Sequence, residues 1–238
     1  MSDVRATHRQ LTRDDFTAER IQLYAAMMRK CGMPEPMSEQ EREQSRQALL
    51  GAIACDEDLW LFGYGSLMWN PAITVAESRM ARVTDYTRRF CLTLSLGRGV
   101  PEKPGLMLAL DYEPGTACTG IAHRILNGDL ESETKVLWYR EMISGAYKAQ
   151  WLMGNFADGT QSRMLSFVVR RDNLRYENGL SQFEQVRRIA EAEGVLGTNR
   201  DYLYRTTEFL VSRNIAEDWL VKLANDVRNY RIQQGELP

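Results

Sequence analysis

Two stretches of the sequence hold residue types whose spacing could do chemistry. The first is Leu61-Phe62-Gly63-Tyr64-Gly65-Ser66-Leu67, an apolar run that breaks into two glycines flanking a tyrosine, with a serine next. Three familiar devices are excluded. A phosphate-cradling loop ends in Gly-Lys-Ser/Thr, which is missing here, and the dinucleotide pattern GxGxxG needs a third glycine where Met68 stands. A nucleophile elbow, GxSxG, fails because Ser66 follows Gly65 directly and Met68 takes the place of the second glycine. Two readings remain. Glycines let the backbone take positive φ and approach a ligand closely, so successive N–H groups could converge on a carboxylate or oxyanion. Alternatively the stretch is a plain strand-to-loop corner that binds nothing.

The second stretch is 129–143, which reads as a helix. Asp129 can cap it, and Glu131 and Glu133 suit its positive N-terminal end. At ~100° per residue, Leu130, Thr134, Leu137 and Trp138 form one apolar stripe, while Lys135, Tyr139 and Met142 point away. Glu141 falls inside the stripe. A buried carboxyl is costly unless paired, and burial raises its pKa, which is what a general base working near neutral pH needs. The alternatives are a structural ion pair, with Arg140 as the nearest candidate, or a stripe that ends before Glu141 and leaves it exposed.

Other candidates are bland. His8 and His123 are the only histidines, too few for a His-rich metal site, and His123 reads as a core-edge residue of a strand. Cys31, Cys55, Cys91 and Cys118 are far apart with no CxxC pair, which suits free thiols. Tyr147 and Tyr202 are hydroxyl donors to a substrate or core aromatics. No metal or other cofactor is expected.

These residues need elements to position them. Residues 1–15 are polar and expected to be loose. A helix is predicted over 16–31, broken by Pro34 and Pro36. A second begins after Ser38, with Glu41 as its capping-box partner, and ends near Gly51. This N-terminal pair, residues 1–58, is expected to be an extension packed on a body spanning 59–238. From Asp58 short strands follow: 59–66, an apolar run stopped by its glycines, then 88–98 with Phe90, Leu92, Leu94 and Leu96 alternating, then 105–112 and 118–126 as separate strands, then 146–156 and 163–171. Helices are predicted over 181–194, 199–212 and 215–231. Central strands with helices at both ends make an α+β fold with a curled or barrel-like sheet.

The totals agree with a globular protein. The chain has 238 residues, 44% of them hydrophobic, and a net charge of −2, which argues against nucleic acid or an anionic membrane as the main partner. No apolar run approaches the ~20 residues of a membrane helix, and the N-terminus lacks an apolar signal core, so a cytoplasmic location is expected.

The two clues together resemble the ChaC family of γ-glutamylcyclotransferases, which are glutathione-specific. The resemblance is carried by WLFGYGSLMWNP (60–71), RRFC (88–91), GRGVPEKPGLMLALD (97–111), CTGIAHRI (118–125), YREMISGAY (139–147) and GTNRDYLY (197–204), in that order. It implies a γ-glutamylcyclotransferase-like mixed β-barrel with flanking helices. It also implies a substrate loop at Leu61–Leu67, Glu141 as the catalytic acid/base, and Tyr147 and Tyr202 near the substrate. The SGAY stretch departs from the tighter Gly-Gly-Tyr spacing of some members. Glutathione is the implied substrate. The rivals are a cyclotransferase for other γ-glutamyl amino acids or amines and, from another class, a non-catalytic regulator associated with cation transport.

Overall fold

The structure, a computed structural model, describes residues 11–234. His8 and most of the segment expected to be loose lie outside these residues. The described residues divide into two compact units, one formed by 12–89 and 108–176, the other by 90–107 and 177–234 together with Leu11.

The first unit begins with two helices, α1 (Ala18–Lys30) and α2 (Glu39–Leu50). Thr17 caps α1. Ser38 and Glu41 form the expected capping box on α2, which ends at Gly51. Along the chain then come β1 (Leu59–Gly63), β2 (Glu77–Leu94), β3 (Gly105–Ile125), α3 (Leu130–Glu141), β4 (Tyr147–Phe156) and β5 (Gln161–Val169), with 90–94 of β2 and 105–107 of β3 belonging to the second unit. The strands close a barrel in the order β1-β3-β2-β4-β5, with β5 pairing β1 and β3 in parallel. Its core includes Phe62, Tyr64, Val83, Tyr86, Leu110, Ala122, Leu152, Phe156, Met164 and Val168.

Two strands differ from the sequence reading. β2 starts at Glu77, because its first half buries only small or widely spaced apolar residues, Ala81, Val83 and Tyr86, between charged ones. Val83 and Tyr86 are both in the core although two residues separate them. Asp85, at φ 62°, takes up the extra residue, as a β-bulge does. Residues 105–112 and 118–126 are not separate strands but one strand of 21 residues. Pro114-Gly115 bends it without ending it: Gly115 adopts φ 81°, the region glycine tolerates, and its N–H bonds Asp85 Oδ1 on β2 at 2.9 Å.

In the second unit, α4 (Gln182–Glu191), α5 (Asn199–Ser212) and α6 (Asp218–Gln233) pack together. The helix predicted over 181–194 stops at Glu191. Glu193–Gly194 and Gly197–Thr198 pair as a small hairpin, β6 and β7, that leads into α5. Asn199 is fully buried and acts as a strand partner for Leu106, accepting its N–H and donating to its carbonyl, both at 2.8 Å. Among the described residues no helix is long and apolar enough to cross a membrane.

Candidate active site

β1 leads directly into the glycine turn. Leu61 and Phe62 are fully buried, their backbones in register with His123 and Ala122 of β3. Their side chains pack inside the first unit and anchor the turn that follows. Neither Gly63 nor Gly65 adopts positive φ, contrary to expectation. The requirement at Gly63 is close approach: a Cβ there would sit 3.0 Å from the Met68 amide nitrogen and 3.1 Å from Leu67. The chain curls back over Gly63 as one 3-10 turn, Ser66–Met68, closed by Met68 N–H to Gly65 O at 2.9 Å and Asn70 N–H to Ser66 O at 2.9 Å. The N–H groups of Gly65, Ser66 and Leu67 take no part in these bonds.

Two buried side chains fix the turn from outside. The Tyr64 hydroxyl donates to the Phe167 carbonyl of β5 at 2.8 Å. His123 Nε2 lies 2.9 Å from the Leu67 carbonyl and Nδ1 lies 2.7 Å from Ser78 Oγ. A carbonyl only accepts, so Nε2 carries the proton and Nδ1 accepts from Ser78. Burial holds the His123 pKa below its ordinary value, against the smaller opposing effect of the Leu67 bond, which suits this neutral tautomer. The core-edge reading of His123 is right, and its task is to hold the turn.

α3 supplies the carboxyl. Leu130, Thr134, Leu137 and Trp138 are all buried, as the stripe requires. Two details differ. Asp129 makes no capping bond; Glu133 is buried, takes the Thr74 N–H at 3.0 Å and pairs with Arg13. Met142 is buried too, because the helix ends at Glu141 and the wheel no longer applies. Glu141 is 14% exposed at its side chain, with Oε1 2.9 Å from Arg140 Nε. Burial pushes its pKa up, and Arg140 opposes that by charge and hydrogen bond without cancelling it. The ion pair and the perturbed carboxyl are thus both present.

Arg140 joins the two stretches. Besides Glu141, it donates from Nη2 to Ser66 Oγ at 2.8 Å and from Nη1 to the Asn70 carbonyl at 2.6 Å. Since Ser66 accepts from Arg140, its own hydroxyl proton is free to point elsewhere. Among the described residues the side-chain partner of the Ser66 hydroxyl is Arg140, a donor and not a base. Tyr147 opens β4 in the same unit, buried, with its hydroxyl 3.4 Å from the Leu108 carbonyl. Tyr202 lies on α5 in the other unit, edge-on to Phe90. Two open cavities on the first unit, of about 500 and 530 Å³, are lined around Arg42, Arg46 and Lys135 and around Tyr86, Asp111 and Lys148. Neither includes the turn or Glu141. The described residues hold no cluster of three or more metal-ligating side chains, and Cys31, Cys55, Cys91 and Cys118 are all free.

The closed five-stranded barrel with flanking helices is the fold of the γ-glutamyl cyclotransferases. A yeast γ-glutamyl cyclotransferase described as specific to glutathione superposes with a TM-score of 0.67 at 18% identity, covering 74% of this chain and 97% of that one. The family described as ChaC-like protein matches residues 59–230, and the chain belongs to that family. The glutathione-specific γ-glutamylcyclotransferase of Escherichia coli K12 is 38% identical over 78% of this chain and 81% of its own length. The γ-glutamylcyclotransferase 2-1 of Arabidopsis thaliana is 32% identical over 76% of this chain and 85% of its own.

Proposed function

We propose that this protein cleaves glutathione to 5-oxoproline and Cys-Gly, with Glu141 as general base and then general acid. The observation that carries the reading is the link from Glu141 through Arg140 to Ser66, which puts a carboxyl of raised pKa and a turn with unused N–H groups in one hydrogen-bonded unit.

The γ-glutamyl group carries its own nucleophile. Its α-amine, once deprotonated, attacks the γ-carbonyl carbon, a five-membered lactam closes, and the bond to the cysteine nitrogen breaks. Glu141 takes the proton from the amine and returns it to the leaving nitrogen, so atoms balance without water. The substrate must be held folded for this. Well-oriented intramolecular reactions gain on the order of 7–11 kcal/mol in the best cases. The N–H groups of Gly65, Ser66 and Leu67 hold the substrate carboxylate or the developing oxyanion, with the Ser66 hydroxyl as a further donor. In this reading the catalytic domain is 59–238, residues 1–58 are an extension to it, and the protein works in the cytoplasm on a small molecule, without nucleic acid or membrane.

The test is incubation with glutathione and measurement of both products. Equimolar 5-oxoproline and Cys-Gly are expected, with kcat/KM for glutathione well above that for γ-glutamyl-alanine. Higher kcat/KM for γ-glutamyl-alanine would move the substrate to γ-glutamyl amino acids, and absence of 5-oxoproline from either would overturn the reading.

A further inference from the structure

We infer that Phe16, which precedes the family-matched residues, is a positioning residue for Glu141 and acts through Arg140. The inference deepens the proposed function and rests on the role given there to Glu141.

Several contacts tie the segment 13–46 to α3, and those of Arg46, Arg13 and Phe16 bear on the two ends of the helix. Arg46, itself buried, donates to both Glu131 carboxylate oxygens at 2.5 and 3.0 Å, to the Glu131 carbonyl at 3.3 Å and to Thr134 Oγ1 at 3.0 Å. Arg13 bonds the Glu133 carboxylate at 2.5 and 2.7 Å. These two hold the first turns of the helix. Phe16, just after a short 3-10 turn at Arg13–Asp15, holds the last: Arg140 Cζ lies over its ring, 5.6 Å from the centroid.

That placement matters because of how Arg140 is used. Its three nitrogens go to Glu141, Ser66 and Asn70, which fixes the plane of the guanidinium by its edges. The Phe16 ring supplies a wall for one face. An aromatic ring attracts the cation through its quadrupole and keeps water from that side. Without the ring, solvent competes for the same donors and the charge is held less closely to the carboxyl. Among the described residues the charge that acts on Glu141 is that of Arg140. The titratable group beside the turn, His123, is kept neutral by burial. Loosening Arg140 therefore removes the one influence that favours the ionised carboxylate, and Glu141 becomes harder to ionise.

The full-length variants F16L and F16W separate this role from packing. Leucine keeps apolar bulk over the site but has no ring face; tryptophan keeps the face. The titration of Glu141, read by carboxyl 13C NMR and assigned with E141Q, should move up by about half a pH unit in F16L and stay in place in F16W. The acid limb of kcat on glutathione should move with it, while KM holds within about twofold. An unmoved Glu141 titration in folded F16L, or equal shifts in F16L and F16W, would overturn the inference. F16M repeats the test should F16L not fold. A wild-type protein that makes no 5-oxoproline would defeat the proposed function instead, and the NMR titration would still decide the effect of Phe16.

Discussion

The glycine turn and the end of α3 meet at Ser66, yet they are held by different forces. The turn is fixed by neutral groups: the Gly63 close approach, the Tyr64 bond to Phe167 and the His123 bond to Leu67. The end of α3 is fixed by charge: Arg140 at Glu141, with Arg13 and Arg46 along the helix. Neutral bonds to a backbone set geometry and change little with salt. A buried carboxyl beside an arginine sets a protonation state, and its value depends on how the charges are arranged. In the proposed mechanism the site separates holding from proton transfer. Changes at the turn should alter binding and stability, whereas changes around Arg140 should alter the pH dependence of the chemical step.

The largest contrast comes from Arg140→Met, which keeps length but removes the link. Glu141 loses its opposing charge, so its pKa should rise further. Turnover at neutral pH should fall by roughly 100-fold, with part of it regained at higher pH. A pH–rate profile checks this, and an acid limb at or below its wild-type position would break the distinction drawn here. In the wild type itself that limb should lie above the ordinary carboxylate value. Activity should be lost as pH falls through the raised pKa, because the protonated carboxyl cannot accept a proton.

Gly63→Ala acts on the holding side. The turn must yield by a few tenths of an ångström, and kcat/KM should drop about tenfold while the acid limb stays where it was. His123→Ala leaves the Leu67 carbonyl without its buried donor. Denaturant titration should show a loss of about 1–3 kcal/mol. The wild-type stability supplied by neutral His123 should be present above the unfolded-state histidine pKa and decline as pH falls below it, because the folded pKa is depressed. The smallest effect belongs to Ser66→Ala, expected to raise KM by roughly threefold to tenfold with kcat little changed. Complete loss at saturating glutathione would make Ser66 more than a holder.

Much of this arrangement is legible in the sequence, and what is not has physical causes. The capping box at Ser38 and the α5 helix are local patterns, and the structure contains both as read. Glu141 could be found because helical periodicity places it on a buried stripe, but the same periodicity misplaces Met142, one residue past the helix end. The first half of β2 hides because charged residues flank each of its few core residues. The continuity of β3 hides because Pro114-Gly115 has the composition of a loop, and the bond from Gly115 to the Asp85 side chain comes from another strand, 30 residues away. Sequence adjacency makes Arg140 a neighbour for Glu141, but its bond to Ser66 crosses 74 residues. The support that His123 gives to Leu67 likewise depends on the β1–β3 register, and no local pattern carries either. Two glycines around a tyrosine suggest positive φ, and the turn instead uses the missing Cβ of Gly63.

The most direct test of the account is Glu141→Gln assayed at saturating glutathione with 5-oxoproline as the readout. The substitution keeps shape and removes the base. A fall in kcat of roughly 100-fold or more, with KM near wild type and a folded protein, is the result expected if Glu141 moves the proton. A variant that turns over at close to the wild-type rate would contradict it.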